Sequence, residues 1–267
     1  KFKRLLESGS GEIEYEFTIK NTDRAVGAKV SNAIVKKYGN KGLENGKVRI
    51  ICRGSAGQSF GAFIVNGVEL VLIGDANDYL GKGMHGGRII VKPFDGVKFD
   101  PYTNIIAGNV LLYGATGGEV YINGRVGERF AVRNSSAFAV VEGTGDHCCE
   151  YMTGGCVVVL GSVGKNFGAG MSNGVAFVLD KEGKFEKLYN PQMVRIQRVS
   201  NEDEDLPLLK EMVENHYRYT GSAIANEVLD NFDNYLPLFW KVVPKSVEEI
   251  EKTKVVPDKQ EEITPKW

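Results

Sequence analysis

Six pairs of small residues, each opening a strand-like run, constrain the fold of this chain more than any other feature. In order they are Asn66-Gly67 before VELVLI, Gly86-Gly87 before RIIVKP and Gly117-Gly118 before EVYING, then Ser135-Ser136 before AFAVVE, Gly154-Gly155 before CVVVLG and Asn173-Gly174 before VAFVLD. The second members stand at 67, 87, 118, 136, 155 and 174, so the steps are 20, 31, 18, 19 and 19 residues. The long step holds PFDGVKFDPYTN, a turn-rich insertion. Four places after each pair stand Val71, Val91, Ile122, Val140, Val159 and Val178, all β-branched and suited to a pleated surface. Two places after it stand Glu69, Ile89, Val120, Phe138, Val157 and Ala176, on the same side of the strand. Ten places before it, Gly57, Gly108, Gly145 and Gly164 recur, with Asn77 in a fifth copy, residues that tolerate the corner conformations of a turn.

A unit of about 19 residues with strands and corners leaves no room for a helix, and suggests a coiled solenoid whose inner side chains form a ladder. A propeller blade needs about twice that length. A β-sandwich would not keep one ladder position β-branched through six copies. The expected architecture is therefore mainly β, a parallel β-helix with one strand-bearing rung per copy. Glycine use fits it: 33 of 267 residues, above the usual share of roughly 7%, with no collagen-like period.

The flanks differ. Thr22 or Asp23 is placed to cap a helix through RAVGAKVSNAIVKKY that stops at Gly39. DLPLLKEMVENHYRY and SAIANEVLDNFDNY read as two amphipathic helices around Gly221, suited to cover the open end of the solenoid and its unpaired strand edge. The expected organisation is an N-terminal strand and helix cap over 1–46, the β-helix over 47–190, a helical cap over 191–244 and a charged tail over 245–267, mobile or held by a partner.

Bulk properties exclude several classes. Net charge is −1 with Lys and Arg scattered, so nothing points to nucleic acid or an anionic membrane. No apolar run reaches spanning length and no signal-peptide core is present, which favours the cytoplasm. Cys52, Cys148, Cys149 and Cys156 have neither CxxC spacing nor disulfide density, so free thiols are expected.

The local motifs lack their required settings. Gly81, Gly83 and Gly86 spell G-x-G-x-x-G, but a strand follows where a dinucleotide site needs a helix N-terminus. GQSFG (57–61) matches the hydrolase elbow around Ser59, yet again a strand follows, and only three histidines are available as base. In GDHCCEY (145–151), His147 and Cys149 would share a face if the segment were extended, with Cys148 pointing away. Two ligands fall short of a zinc site. Asp75, Asn77 and Asp78 are explained by Asx turns at a corner. The expectation is no catalytic, cofactor or metal site in this chain. One alternative is a small-molecule groove of polar corner residues, Asp75, Lys82, Arg129 and His147. Another is an autonomous enzyme using Ser59 or His147 and Cys149.

The outward position three after each pair is apolar: Leu70, Ile90, Tyr121, Ala139, Val158 and Phe177. Strands apolar on both faces are covered on both. The terminal helices, another chain, or both must therefore pack there, and Leu70, Ile90, Tyr121, Val158 and Phe177 form a candidate interface. On this reading Val158→Asp or Phe177→Asp weakens assembly and spares the isolated fold.

NTDRAVGAKVSNAIVKKYG, GSAGQSFGAF, GDANDYLGKGMHGGRIIV, GERFAVRNSSAFAVVEGTGDHCCEYMTGG, GKNFGAGMSNGVAFVLD and HYRYTGSAIANEVLDNF together resemble the C-terminal G-X-G-X-G domain of the glutamate synthase large subunit, from about Ile19 to Val243. The resemblance implies a right-handed parallel β-helix. It also implies a non-catalytic packing scaffold within an enzyme that moves the amide nitrogen of glutamine to 2-oxoglutarate. In that family an amidotransferase domain with an N-terminal cysteine releases ammonia, and a domain with FMN and an iron–sulfur cluster forms glutamate. Those domains, or subunits carrying them, are the implied partners, together with a possible homo-oligomer. No cofactor is expected in this chain. A similar fold occurs in a subunit of formylmethanofuran dehydrogenase, so a scaffold subunit of that kind of complex is an alternative.

Overall fold

In the computed structural model residues 1–254 are described. The chain is mainly β. Helix α1 (Phe2–Ser8) precedes β1 (Ser10–Ile19), and α2 (Ala28–Tyr38) precedes β2 (Asn45–Ala56). Then follow β3 (Val68–Ala76), β4 (His85–Lys92), β5 (Ile105–Ala107), β6 (Gly117–Ile122), β7 (Arg125–Val126), β8 (Phe138–Val141), β9 (Thr153–Val159) and β10 (Asn173–Leu179). Strand β11 (Val194–Arg198), helices α3 (Leu206–Thr220), α4 (Ala223–Asp230) and α5 (Phe232–Tyr235), β12 (Phe239–Pro244) and α6 (Val247–Lys254) complete it. The twelve strands form one sheet ordered β1-β2-β3-β4-β6-β8-β9-β10-β12-β11, with β5 and β7 branching from β3. Pairing is parallel from β1 to β10, and β12 runs antiparallel to β10 and β11.

Register fixes which residues face the core. Leu72, Val91, Ile122, Val141, Val159 and Val178 pair in one row, and Leu70, Ile89, Val120, Ala139, Val157 and Ala176 in another. Both rows are buried in the main apolar core. Between them, on the opposite face, run Val71, Ile90, Tyr121, Val140, Val158 and Phe177. The expected ladder therefore holds in four copies and slips by one in two, where Leu72 replaces Val71 and Val141 replaces Val140. From Gly67 to Leu72 and from Ser136 to Val141 the interval is five residues instead of four. A one-residue slip exchanges faces in a strand of period two, so Leu70 and Ala139 belong to the core and Val71 and Val140 to the outer row.

The corners explain the glycine spacing. Left-handed backbone recurs at alternate residues in each copy: Ser59, Gly61, Phe63; Tyr79, Gly81, Gly83; Val110, Leu112, Gly114; Arg129, Ala131, Arg133; His147, Cys149, Tyr151; Asn166, Gly168, Gly170, all with φ from 55 to 70°. Such a conformation costs roughly 1–2 kcal/mol at each non-glycine position, so hydrogen bonds must enforce it. The first residue of each of the first five triplets donates its N–H to the next copy, as in Tyr79 to the Asn109 carbonyl at 2.9 Å and Arg129 to Asp146 at 2.8 Å. The second donates to the preceding copy, as in Leu112 to Leu80 and Cys149 to Phe130, both at 2.8 Å. Gly81 and Gly83 are two members of this ladder, and β4 follows them.

Both flanks depart from expectation. Helix α2 begins at Ala28, after Gly27, not at Thr22 or Asp23. The intervening residues join the first corner: Ala25 takes φ 50° and donates to Gln58, while Gly57 donates to Asp23 and Gly61 to Val26. Strand β1 extends the sheet beyond β2. At the other end the exposed edge of β10 is paired by β12, the segment FWKVVP, and not by helices. Of the charged tail, 247–254 is α6 and 255–267 lies outside the described residues.

Candidate functional site

Helices α3 and α4 lie over the outer face. Gly221 ends α3 with φ 70°, and Ser222 caps α4 by accepting the Ala225 N–H at 3.1 Å. Leu209, Met212, Val213, His216 and Thr220 form the buried stripe of α3 at helical spacing. They pack with Ile224 and Val228 of α4 against Tyr121, Val140, Cys156, Val158 and Phe177. The residues expected to dock a partner are therefore internal: Tyr121, Val158 and Phe177 lie under the chain's own helices. Leu70 points into the main core, and Ile90, buried beside Val71 and Ile73, meets Tyr219 at the end of α3. An amphipathic helix buries its apolar stripe, and here the outer face of the sheet receives it.

A polar latch missed in the sequence holds the helices. Glu142, at the end of β8, is buried, and its Oε1 accepts the Ser222 hydroxyl at 2.5 Å and lies 3.3 Å from His216 Nε2. The Thr220 hydroxyl donates to the His216 carbonyl at 2.6 Å, and Asn123 Nδ2 donates to the Thr220 carbonyl at 3.3 Å. Lone Glu, His and Ser residues separated by 74 and 80 positions carry no sequence signal. A serine and a histidine that both meet the same carboxylate oxygen fix helices; they do not form a nucleophile–base relay.

Two of the four groove residues meet. Arg129 Nη1 is 3.0 Å from Glu150 Oε2, and His147 Nδ1 is 3.7 Å from Glu150 Oε1. Asp75 instead accepts the Ser55 hydroxyl at 2.7 Å, and the Lys82 ammonium lies over the Tyr79 ring at 5.4 Å. Ser59 and His147 both stand first in their triplets, four copies apart, about 19 Å at the usual strand spacing. His147 and Cys149 do not share an extended face: Cys148 and Cys149 are both buried, 3.7 Å apart at sulfur. Burial pushes the thiols of Cys52, Cys149 and Cys156 up, Cys52 to about 11 with Asp23 adding to it. Among the described residues no group of three or more His, Cys, Asp and Glu is placed to hold a metal ion. No helix among them is long and apolar enough to cross a membrane.

The outer face over β1–β6 carries an ordered charge pattern. Glu14, Arg49, Glu69, Arg88 and Glu119 stand opposite one another across five strands, alternating in sign. The buried Glu69 carboxylate meets Lys47 at 3.1 Å, Arg49 at 3.3 Å and Arg88 at 3.0 Å, and Arg88 also meets Glu119 at 2.8 Å. Beside this row runs an apolar one, Ile51, Val71 and Ile90, which continues into the helix-covered row. Tyr219 of α3 closes it, stacked by the Arg88 guanidinium at 4.3 Å and the Arg218 guanidinium at 4.6 Å.

The family model described as "GXGXG motif" matches residues 1–245. Similar proteins include the ferredoxin-dependent glutamate synthase 2 of Synechocystis, 51% identical over 86% of this chain and 15% of that protein. Ferredoxin-dependent glutamate synthase 1 of Arabidopsis thaliana, chloroplastic/mitochondrial, is 51% identical over 92% and 15%. The glutamate synthase [NADPH] large chain of Bacillus subtilis is 49% identical over 93% and 16%. The chain belongs to the GXGXG family. This GXGXG domain spans about one-sixth of the length of those relatives.

Proposed function

We propose that this GXGXG domain is a right-handed parallel β-helix that serves as the non-catalytic scaffold of a glutamate synthase-type enzyme. The in-register ladder and the corner hydrogen bonds support the β-helix. The observation that carries the function is the identity of about half to glutamate synthases across nearly the whole chain. The catalytic parts lie on partner domains or subunits: an amidotransferase that releases ammonia from glutamine, and an FMN and iron–sulfur part that uses it to make glutamate from 2-oxoglutarate, in the cytoplasm. The buried cysteines here fit neither a cluster nor a nucleophile. Purification of the tagged chain from its host tests this. Flavin and iron–sulfur absorption with partner bands in fixed ratio is expected; a colourless chain eluting alone overturns it.

A second reading, a small-molecule-binding module, is favoured by a cavity of about 430 Å³ walled by Val163, Phe185, Leu188 and Tyr102. Arg125 lines it with a buried Nε that has no hydrogen-bond partner. Thermal shift with glutamine, glutamate and 2-oxoglutarate checks it: a stabilisation abolished by Arg125→Gln supports binding.

A further inference from the structure

We propose that the basic part of the outer face, over β2–β4, docks an acidic polypeptide segment of the remaining enzyme. The segment would set carboxylates against Lys92 and Arg218, at the rim of a cavity floored by the buried Val71 and Ile90. This rests on the scaffold reading above.

Three observations carry it. The first is continuity. One apolar row crosses the sheet from Ile51 to Phe177; α3 and α4 cover it from Tyr121 onward, and Tyr219 of α3 packs on the buried cluster of Val71, Ile73 and Ile90. Where they stop, at Tyr219, a cavity of about 450 Å³ opens with Val71 and Ile90 in its lining.

The second is charge. Lys47, Arg49, Arg88, Lys92 and Arg218 line that cavity against a single carboxylate, Glu69, on a chain whose net charge is −1. Glu69 is already shared by Lys47, Arg49 and Arg88. Among the described residues Lys92 and Arg218 stand in no ion pair, and Arg218 bonds only the neutral Asn215 and Tyr219 at 2.7 and 2.6 Å. Two cations at the rim of the cavity offer a site for the carboxylates of an acidic segment.

The third is extent. A neighbouring cavity of about 490 Å³ shares Lys47, Glu69 and Arg88 with the first, so the trough runs along the strands beyond the reach of a small anion. The neighbouring cavity also carries Glu44 and Glu119, so the segment's carboxylates belong at the Lys92 and Arg218 end. The relatives carry about 85% of their length outside the matched region, which leaves ample chain to supply a segment.

Zero-length carbodiimide coupling, which joins lysine to carboxylate, tests this on the enzyme purified from its host. Peptide mapping is expected to join Lys92 or Lys47 to an Asp or Glu outside this domain, whether on another subunit or elsewhere in a longer chain. Lys92→Glu with Arg218→Glu should remove that cross-link and weaken retention of the flavin-bearing part at least tenfold. The exposed pair Lys29→Glu and Lys36→Glu on α2 should not. If the reversed pair melts early, Lys92→Gln with Arg218→Gln carries the test, and a smaller loss that added salt mimics in the parent is expected. Full retention with an unchanged cross-link map overturns the docking surface while leaving the scaffold reading intact. Absence of any flavin-bearing partner in the parent overturns the scaffold reading itself. A cross-link between two copies of Lys92-bearing peptides and this same domain, with a dimer lost on charge reversal, overturns the acidic segment in favour of self-association.

Discussion

Val158→Asp separates the buried outer row from an exposed one. Val158 is fully buried, paired with Val140 and Phe177 and packed under α3 and α4. Losing its apolar burial costs about 1.5–3 kcal/mol. An aspartate there is pressed to take up a proton. Holding it neutral at pH 7, about three units above its ordinary pKa, costs up to about 4 kcal/mol. The deficit of about 5–7 kcal/mol approaches the whole stability of a typical domain, about 5–15 kcal/mol. Its pH dependence has a definite sign. A carboxyl whose folded pKa is raised binds its proton more tightly when folded, so relative stability is highest below about pH 4 and is lost as pH rises. Urea unfolding of Val158→Asp and Val158→Asn at pH 4.5 and 7 reads this. The aspartate variant should lose about 3 kcal/mol more at pH 7 than at pH 4.5 relative to the asparagine variant. A near-native midpoint for Val158→Asp at pH 7, or a deficit independent of pH, would refute the reasoning and return Val158 to an exposed docking row. The expectation that such a charge spares the isolated fold is thereby reversed.

Glu142→Ala leaves His216 and Ser222 facing an empty buried site, and should cost about 2–4 kcal/mol in urea unfolding. Hydrogen exchange should locate the loss in α3 and α4, with Glu142→Gln milder. Gly114→Ala meets no atom within 4 Å and bears only the strain of φ 62°, about 1 kcal/mol. Gly74→Ala would place its Cβ 2.0 Å from the Gly54 carbonyl oxygen and should cost more than twice that; equal losses would remove the packing argument. At pH 8 a thiol reagent should label none of the four buried cysteines until the protein unfolds. Because the Cys52 thiol is raised to about 11, its contribution is intact below about pH 9 and declines above, so alkaline melts should show lower stability in the parent than in Cys52→Ser once each is referred to its own value at pH 7.

How much of this was legible beforehand differs by feature. The ladder is legible in sequence at Val91, Ile122, Val159 and Val178, because strand periodicity and the pair-to-ladder interval are both local. It is not legible at Val71 and Val140, where one added residue reverses the strand's faces and only pairing with the neighbouring strand reveals it. The corner glycines were visible. The left-handed conformation of Arg129, Ala131 and Arg133 was not, since no propensity selects it and the hydrogen bonds of adjacent copies impose it.

Sequence alone determined that the chain is a β-rich repeat, that amphipathic helices flank Gly221, and which family the chain joins. Each is written in short-range spacing or in long ordered similarity. Tertiary structure decided where those helices lie, and so turned the supposed docking row into a second core. It also assembled Glu142 with His216 and Ser222, and set Glu14, Arg49, Glu69, Arg88 and Glu119 in one line. Amphipathicity records that a helix has an apolar face but not which surface receives it. Charges at irregular separations become neighbours only when parallel register brings their strands side by side.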